Sequence, residues 1–361
     1  MKIGVVGAGQ LGQMLALAGY PLALSFRFLD SSADSPGARV APIVTGAFDD
    51  VASLRQLASD VDLITYEFEN VPVAALQEVA GLCPCHPPVD ALRVSQDRLL
   101  EKELFGRLGI PTPPFRTADS LAELEAAVAA IGLPAVLKTR RLGYDGRGQR
   151  VLKRRADVAP AWEALGSVPL ILEGFIAFDR EVSIVGARST TGETRAYPLA
   201  LNTHREGILR VTVAPARDAR LQRAAERHLH RVMDHFGYTG VLTLEFFVER
   251  GRLVANEMAP RVHNSGHWTI EGAVTSQFEN HLRAILGMPL GDTRAVGHAA
   301  MVNYIGTMPD RDRILALPGA HHHDYGKAPR AGRKLGHCTV VAPTPAGRDA
   351  LLRQLLRRVP R

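Results

Sequence analysis

Two short triplets, Thr243-Leu244-Glu245 and Ala255-Asn256-Glu257, carry the most specific chemistry in the sequence. They sit in apolar runs that read as two strands, residues 241–249 and 253–258, joined by a tight turn at Arg250-Gly251. A turn centred there sets Glu245 opposite Asn256 or Glu257, and directly opposed side chains share a sheet face. Two carboxylates and a carboxamide therefore converge. Like charges in that position are destabilising unless a cation neutralises them. Magnesium suits the site, because it takes a few carboxylates and completes its shell with water and phosphates. The plainer alternative is a pair of exposed edge glutamates. Leu242, Leu244 and Phe246 argue that one face of the hairpin is buried.

Three further segments supply partners for such an ion. Residues 259–268 bring Arg261, His263, Asn264, Ser265 and His267 up to Trp268. That is an excess of donors for a connector, suited to a phosphoryl group in transfer and to an anionic substrate. Any one of them, His267 above all, also reads as a satisfied loop residue. Residues 143–149 (GYDGRGQ) hold three glycines, an acid and a base, and follow a strand ending in Lys138. Backbone N–H groups of such a loop can line a polyphosphate, with the lysine as a point charge. It is not a Walker A loop, since no G-K-[ST] closes it. A flexible hairpin with a solvated lysine is the alternative. Finally, Gly7-x-Gly9-x-x-Gly12 with Asp30 downstream matches a dinucleotide fingerprint. Alone it is equally a strand-to-helix turn or a cradle for another phosphate at a helix N-terminus. Gln10 lies in this loop, where its amide could donate to an anion.

These residues need elements to hold them. Strand 3–6, a helix with Leu11, Met14, Leu15 and Ala18 at helical spacing, then apolar runs 22–29 and 63–65 predict a parallel α/β sheet. Prolines within 83–88 mark a boundary, residues 96–108 form one helix by period, and Pro111, Pro113 and Pro114 form a linker. Helices follow at 122–131, 219–235 and 276–286, strands at 135–138, 170–173 and 181–185, and a second boundary at 291–293. With 361 residues the chain is long enough for two to three domains.

Composition excludes several classes. Hydrophobic residues are 46% and charged residues 22%, ordinary for a globular chain. Aromatics, at 6%, do not favour stacking platforms for single-stranded nucleic acid. The net charge of +6 comes from 43 basic and 37 acidic residues that are well mixed. The densest basic stretch, Arg348, Arg353, Arg357, Arg358 and Arg361, reads as a solvated helix face. Three cysteines make no disulfide framework. Cys83 and Cys85 beside His86 lack the second pair of a zinc site. The run His321-His322-His323 reads as a loop. A reducing, cytoplasmic setting fits, and no apolar stretch reaches the ~18 residues of a membrane span.

Taken together, Gly9-Gln10-Leu11-Gly12, TYEFENV (65–71), GYDGRGQ (143–149), NEMAPR (256–261), VHNSGHW (262–268) and GRKLGH (332–337) resemble the N5-carboxyaminoimidazole ribonucleotide synthases. These are the ATPase subunits of phosphoribosylaminoimidazole carboxylase, within the ATP-grasp superfamily. The resemblance runs from residue 3 to about 341. It implies an α/β fold of α+β ATP-grasp type in three parts: a Rossmann-like domain at 1–94, an ATP-grasp domain at 95–290 and a small β-rich domain at 291–361. It also implies ATP-dependent carboxylation of 5-aminoimidazole ribonucleotide with bicarbonate in purine biosynthesis, with ATP and magnesium, in a cytoplasmic homodimer that binds no nucleic acid or membrane.

The resemblance assigns residues as well. Arg98 and Lys138 would meet ATP phosphates, under a lid of Gly143, Tyr144, Asp145, Gly146, Arg147, Gly148 and Gln149. Glu173, Gly174, Phe175 and Ile176 would form the adenine linker, their backbone amides reading the base. Glu181 would accept the ribose hydroxyls, with His204 nearby. Glu245 and Glu257 would hold magnesium, with Asn256 beside them at the nucleotide. Gln10, Leu11, Glu67, Tyr144, Asp145, Arg147, His263, Asn264, Arg333 and Lys334 would bind the ribonucleotide and bicarbonate. Asp145, Arg147, Arg261, His263 and Lys334 would be the catalytic set. The chain departs from the family pattern at Leu142 (usually glycine), Gln13 (commonly arginine) and Leu201 (polar). Rival readings are another ATP-grasp carboxylase or ligase, of biotin carboxylase or formate-dependent glycinamide ribonucleotide transformylase type, a nicotinamide-dependent dehydrogenase resting on Gly7 to Gly12, and a nucleic-acid-binding module resting on a pI near 9.4.

Overall fold

The short apolar runs at the N-terminus build a parallel sheet. In the computed structural model, which describes every residue except Tyr144, Asp145, Ser167 and Arg361, the chain opens with β1 (Lys2–Val6), α1 (Gln10–Gly19), β2 (Ser25–Asp30), β3 (Ile43–Thr45), α2 (Val51–Ala58), β4 (Leu63–Tyr66), α3 (Val73–Val79) and α4 (Val89–Ser95). The sheet order is β3-β2-β1-β4, all parallel. Ile3, Val5, Phe26 and Phe28 pack with α1 on one face, while Val6, Ile64, Leu54 and Leu76 fill the other. Burial on both faces explains why these strands read as unbroken apolar runs.

The helix predicted over 96–108 forms, two residues shorter at its start and one at its end. The chain breaks after α4 and restarts as α5 (Arg98–Arg107). Asp97 is the cause: its carboxylate accepts the Leu99 N–H as N-cap and clamps Arg140 at 2.7 Å, a cap that fixes a new helix start.

A second sheet follows from β5 (Phe115–Ala118), α6 (Leu121–Ile131), β6 (Ala135–Thr139), β7 (Gln149–Leu152), α7 (Val158–Ala164) and β8 (Leu170–Gly174). Its order is β5-β8-β6-β7, antiparallel, with α6 and α7 on one face. The glycine loop is the β6–β7 connection, so Lys138 and the loop come from one hairpin.

The remaining chain forms β9 (Arg180–Arg188), β10 (Thr194–Ala196), β11 (Ala200–Arg205), β12 (Ile208–Ala214), α8 (Ala219–Phe236), β13 (Gly240–Glu249), β14 (Arg252–Ala259), α9 (Thr269–Gly272), α10 (Gln277–Ile285), β15 (His298–Ile305), α11 (Arg311–Leu315), β16 (Ala320–Asp324), β17 (Lys334–Ala342) and α12 (Pro345–Leu356). The strands make one large sheet, β14-β13-β9-β11-β12-β15-β17-β16, with β10 attached to β9. Leu221, Ala225, Leu229, Val232 and Met233 on α8 pack against Leu242, Leu244 and Phe246 of β13. The face with Glu181, Ser183 and Glu245 is thereby left to the cleft between the two antiparallel sheets. His321, His322 and His323, read above as a loop, form most of β16: they pair with Thr339, Cys338 and His337 of β17. Among the described residues, no helix is long and apolar enough to cross a membrane.

Candidate active site

The hairpin of β13 and β14 turns at Arg250 and Gly251, both at positive φ (48° and 72°), the left-handed pair of a tight two-residue turn. Its register puts Glu245 directly opposite Glu257, with an irregularity at the next position. Glu245 is 8% exposed. Burial, then the Glu257 charge, push its pKa up to about 7. The nearest ring, His263, holds Nδ1 3.7 Å from Glu245, too far for a hydrogen bond. Arg98 reaches Glu257 at 3.5 Å and the Gly143 carbonyl at 3.4 Å. Two facing, incompletely neutralised carboxylates with a carboxamide beside them fit magnesium. Among the described residues no group of three or more histidine, cysteine or acidic side chains could hold a metal alone. Magnesium can be held by one or two carboxylates, with phosphates and water completing its shell.

Around this pair the structure gathers several of the predicted nucleotide residues, among them Arg98, Glu181 and His204. Lys138 is buried and bonds Glu173 at 3.0 Å. Burial pushes the Glu173 carboxyl up, but Lys138 and Lys102 outweigh it and bring the value to about 2. Glu181 contacts His204 at 2.7 Å. Burial opposes the charged ring, yet Glu181 and Glu245 raise the His204 pKa above the ordinary imidazole value. The expectation that backbone amides at 173–176 read a base needs correction at two positions. The Gly174 N–H is donated to the Pro114 carbonyl and the Phe175 N–H to that of Pro134, because the proline linker and the turn before β6 both pack along the end of β8. Phe175 itself is 47% exposed. Gly146, Arg147 and Gly148 lie on the β6–β7 loop and Gln149 opens β7, paired with Lys138; Tyr144 and Asp145 lie outside the described residues.

The segment after β14 is fixed by long-range bonds. Arg261 pairs with Glu69 at 3.0 Å. His263 accepts from Ser265 Oγ at 2.8 Å and from the Ser265 N–H at 3.3 Å, both on Nδ1. Its proton therefore sits on Nε2, and burial holds the ring neutral by driving its pKa well down. Asn264 and Asn303 exchange a reciprocal amide pair at 3.0 and 2.7 Å. Gln277 clamps the His263 peptide from both sides, at 2.9 and 2.6 Å. Lys334, at the start of β17, contributes positive charge to Glu245 and His263. Arg333 donates to the Ala328 carbonyl at 3.2 Å.

The first glycine motif has its own occupant. Glu67 accepts the Gly9 and Gly12 N–H groups at 2.5 and 2.7 Å, and Asp30 accepts the Ala8 N–H at 2.8 Å. A Cβ on Gly9 would collide with the Glu67 carboxylate. Here glycine permits approach of a carboxylate of the protein itself, and the amides a dinucleotide would use are spent, which removes the dehydrogenase reading. Gln10 accepts from Lys327. The Leu11 side chain is packed in the core at 7% exposure, so only its backbone borders the loop.

Sequence reasoning missed Glu69, Glu101, Lys102, Gln277, Asn303 and Lys327. Only Glu101 and Lys102 carried a signal: a charged pair beside the apolar residues of a helix that follows Arg98. The His321 to His323 run also gains partners it lacked in sequence. His323 bonds Glu271 at 2.6 Å, and its ring stacks on His337 at 4.2 Å.

Family models match three stretches: a ribonucleotide synthetase preATP-grasp domain over 1–96, an ATP-grasp domain over 103–278, and a phosphoribosylaminoimidazole carboxylase C-terminal domain over 299–350. N5-carboxyaminoimidazole ribonucleotide synthase of Pseudomonas aeruginosa is 54% identical over 94% of both chains. The crystal structure of the corresponding synthetase from Thermus thermophilus superposes with a TM-score of 0.95 at 52% identity, covering 99% of each chain. The Aspergillus clavatus synthase, solved with ADP and 5-aminoimidazole ribonucleotide, superposes at 0.93 with 33% identity, over 99% of this chain and 97% of that one. With that identity sustained along nearly the whole length, the chain belongs to the N5-carboxyaminoimidazole ribonucleotide synthase family.

Proposed function

We propose that this protein joins 5-aminoimidazole ribonucleotide and bicarbonate at the expense of ATP, giving N5-carboxyaminoimidazole ribonucleotide, ADP and phosphate. The observation that carries the reading is the opposed Glu245–Glu257 pair facing a cleft whose other wall presents Lys138 and the glycine loop. Bicarbonate is a poor electrophile until one oxygen becomes a phosphate. Its oxygen attacks the γ-phosphorus, ADP leaves, and carboxyphosphate forms. The exocyclic amine of the ribonucleotide then takes the carboxyl group, loses a proton, and phosphate departs. Carboxyphosphate hydrolyses readily, so the β6–β7 loop serves as the cover that excludes water.

Each residue has a share in that sequence. Arg98 and Lys138 hold the ATP phosphates, and Arg261 offsets charge on the phosphoryl group in flight. Phe175 and Ile176 wall the adenine, while Glu181 takes the ribose, steadied by His204. Neutral His263 donates from Nε2 to a carboxylate or phosphate oxygen; with Nδ1 already accepting, it is a donor before it is a base. Gln10, Glu67, Asn264, Arg333 and Lys334 border the ribonucleotide site, together with Tyr144, Asp145 and Arg147 of the loop. Glu245 and Glu257, with Asn256 adjacent, would hold magnesium, which when bound screens the phosphate charge. We place the three domains at 1–94, 95–290 and 291–361, and the protein works as a cytoplasmic homodimer. Three unpaired thiols support the reducing setting, and sedimentation measures the dimer.

The test is ADP release with ribonucleotide, bicarbonate and magnesium together. Omitting the ribonucleotide should abolish coupled turnover. ADP release that ignores the omission would assign the chain to a different ATP-grasp reaction.

A further inference from the structure

Glu257 stands on the edge strand of the large sheet, since β14 ends the strand order among the described residues. One side of its backbone therefore lacks a ladder partner there. The strand also carries an irregularity: Glu245 pairs with Glu257 and Phe246 with Ala255, leaving Asn256 unpaired. A regular strand alternates faces. Here Ala255 and Met258 are buried in the α8 core, while Asn256 and Glu257, adjacent in sequence, are both only half-buried. The extra residue is what allows both polar side chains to reach the cleft, and bulges commonly re-aim side chains this way.

Helix α5 supplies what the open edge and the bulge lack. Lys102, fully buried, donates to the Asn256 carbonyl at 2.6 Å and the Ala255 carbonyl at 3.3 Å. Glu101, 2% exposed, accepts the Met258 N–H at 2.7 Å. One turn earlier on the same helix, Arg98 meets the Glu257 carboxylate. Consecutive side chains of α5 thus hold the peptide groups on both sides of Glu257. We infer that Glu101 and Lys102 are positioning residues for Glu257: they fix the bulge of β14 and so set the carboxylate at the distance from Glu245 that a divalent ion requires. The inference rests on the reading of Glu245 and Glu257 as magnesium ligands.

A residue that merely seals the sheet edge would affect stability alone. A positioning residue changes how much magnesium strengthens nucleotide binding. Calorimetric titration of ADP with and without magnesium reads that gain directly. Glu101→Leu should cut the gain about tenfold, the size typical of lost support behind a metal ligand, and leave magnesium-free ADP affinity unchanged. Glu101→Gln, whose carbonyl still accepts the Met258 N–H, should restore the gain. Lys102→Met should cut it as well. Should Glu101→Leu fail to fold, Glu101→Asp, which withdraws the acceptor by one methylene, is measured in its place. Glu257→Gln separates the two claims. If it leaves the magnesium gain intact, the metal reading is wrong and the inference falls with it. If Glu257→Gln abolishes the gain while the Glu101 and Lys102 variants only lower the melting temperature, the positioning role alone is overturned.

Discussion

Glu257 faces Glu245 across the hairpin and its charge raises the Glu245 pKa, a repulsion that a bound cation would relieve. Glu257→Gln should therefore reduce magnesium-dependent ADP release by about 100-fold or more, in the range lost with a key electrostatic group. The same change should alter the melting temperature little, because the repulsion with Glu245 that it relieves is offset by the lost Arg98 pair. Unchanged turnover would remove the metal assignment. Leu142 offers a second test at this scale. It sits at φ 61° and is 75% exposed, in the place where the family usually has glycine. A left-handed conformation costs a non-glycine residue about 1–2 kcal/mol, and glycine gives back part of that as backbone entropy. Leu142→Gly should be neutral or stabilising by up to about 1 kcal/mol, and Leu142→Val should be destabilising, since a β-branched residue tolerates positive φ worst. Thermal unfolding orders the three. Glu245 and Glu257 were legible in the sequence because a two-residue turn sets register locally. Glu69 was not, because its partner Arg261 lies far along the chain and only the fold brings them together.

At the scale of elements, the junction of α5, β6, β8 and β14 is tied by Lys102, Lys138 and Glu173. Glu173 titrates near 2 in the fold, against 4.5 for an ordinary glutamate. A depressed carboxylate contributes stability that is complete above the unfolded value and disappears as pH falls through the folded one. The stability gap between the parent and Glu173→Gln should therefore be constant above about pH 4.5 and narrow by about 3 kcal/mol toward pH 2. Chemical denaturation across that window checks it, and a gap that stays constant would place the lysine charges elsewhere. Strand and helix positions were largely readable here, since apolar runs and amphipathic periods survive without tertiary information. The break at Asp97 and the strand status of His321 to His323 were not. The first depends on Arg140 completing a cap, and the second on β17 offering an edge to pair with.

The whole molecule divides its chemistry between walls. The residues proposed for the nucleotide come from the small antiparallel sheet and from β9, β13 and β14, whereas Gln10 and Glu67, proposed for the ribonucleotide, come from the N-terminal part of the chain, and Lys334 comes from β17. The family motifs assign such distant pieces to one site; periodicity alone gave no distance between them. This separation makes binding and coupling independently addressable. Lys334 adds positive charge near Glu245 and His263. Lys334→Ala should change ATP affinity less than it changes coupling, because Arg98 and Lys138, the residues proposed to hold the triphosphate, stay in place. The ribonucleotide KM should rise and coupling should fall, so that ADP release exceeds carboxylated product. Measuring ADP and product in the same reaction gives the ratio. If ATP affinity collapses while the ratio stays at one, Lys334 belongs to the nucleotide wall, and the two-sided arrangement of the cleft is wrong.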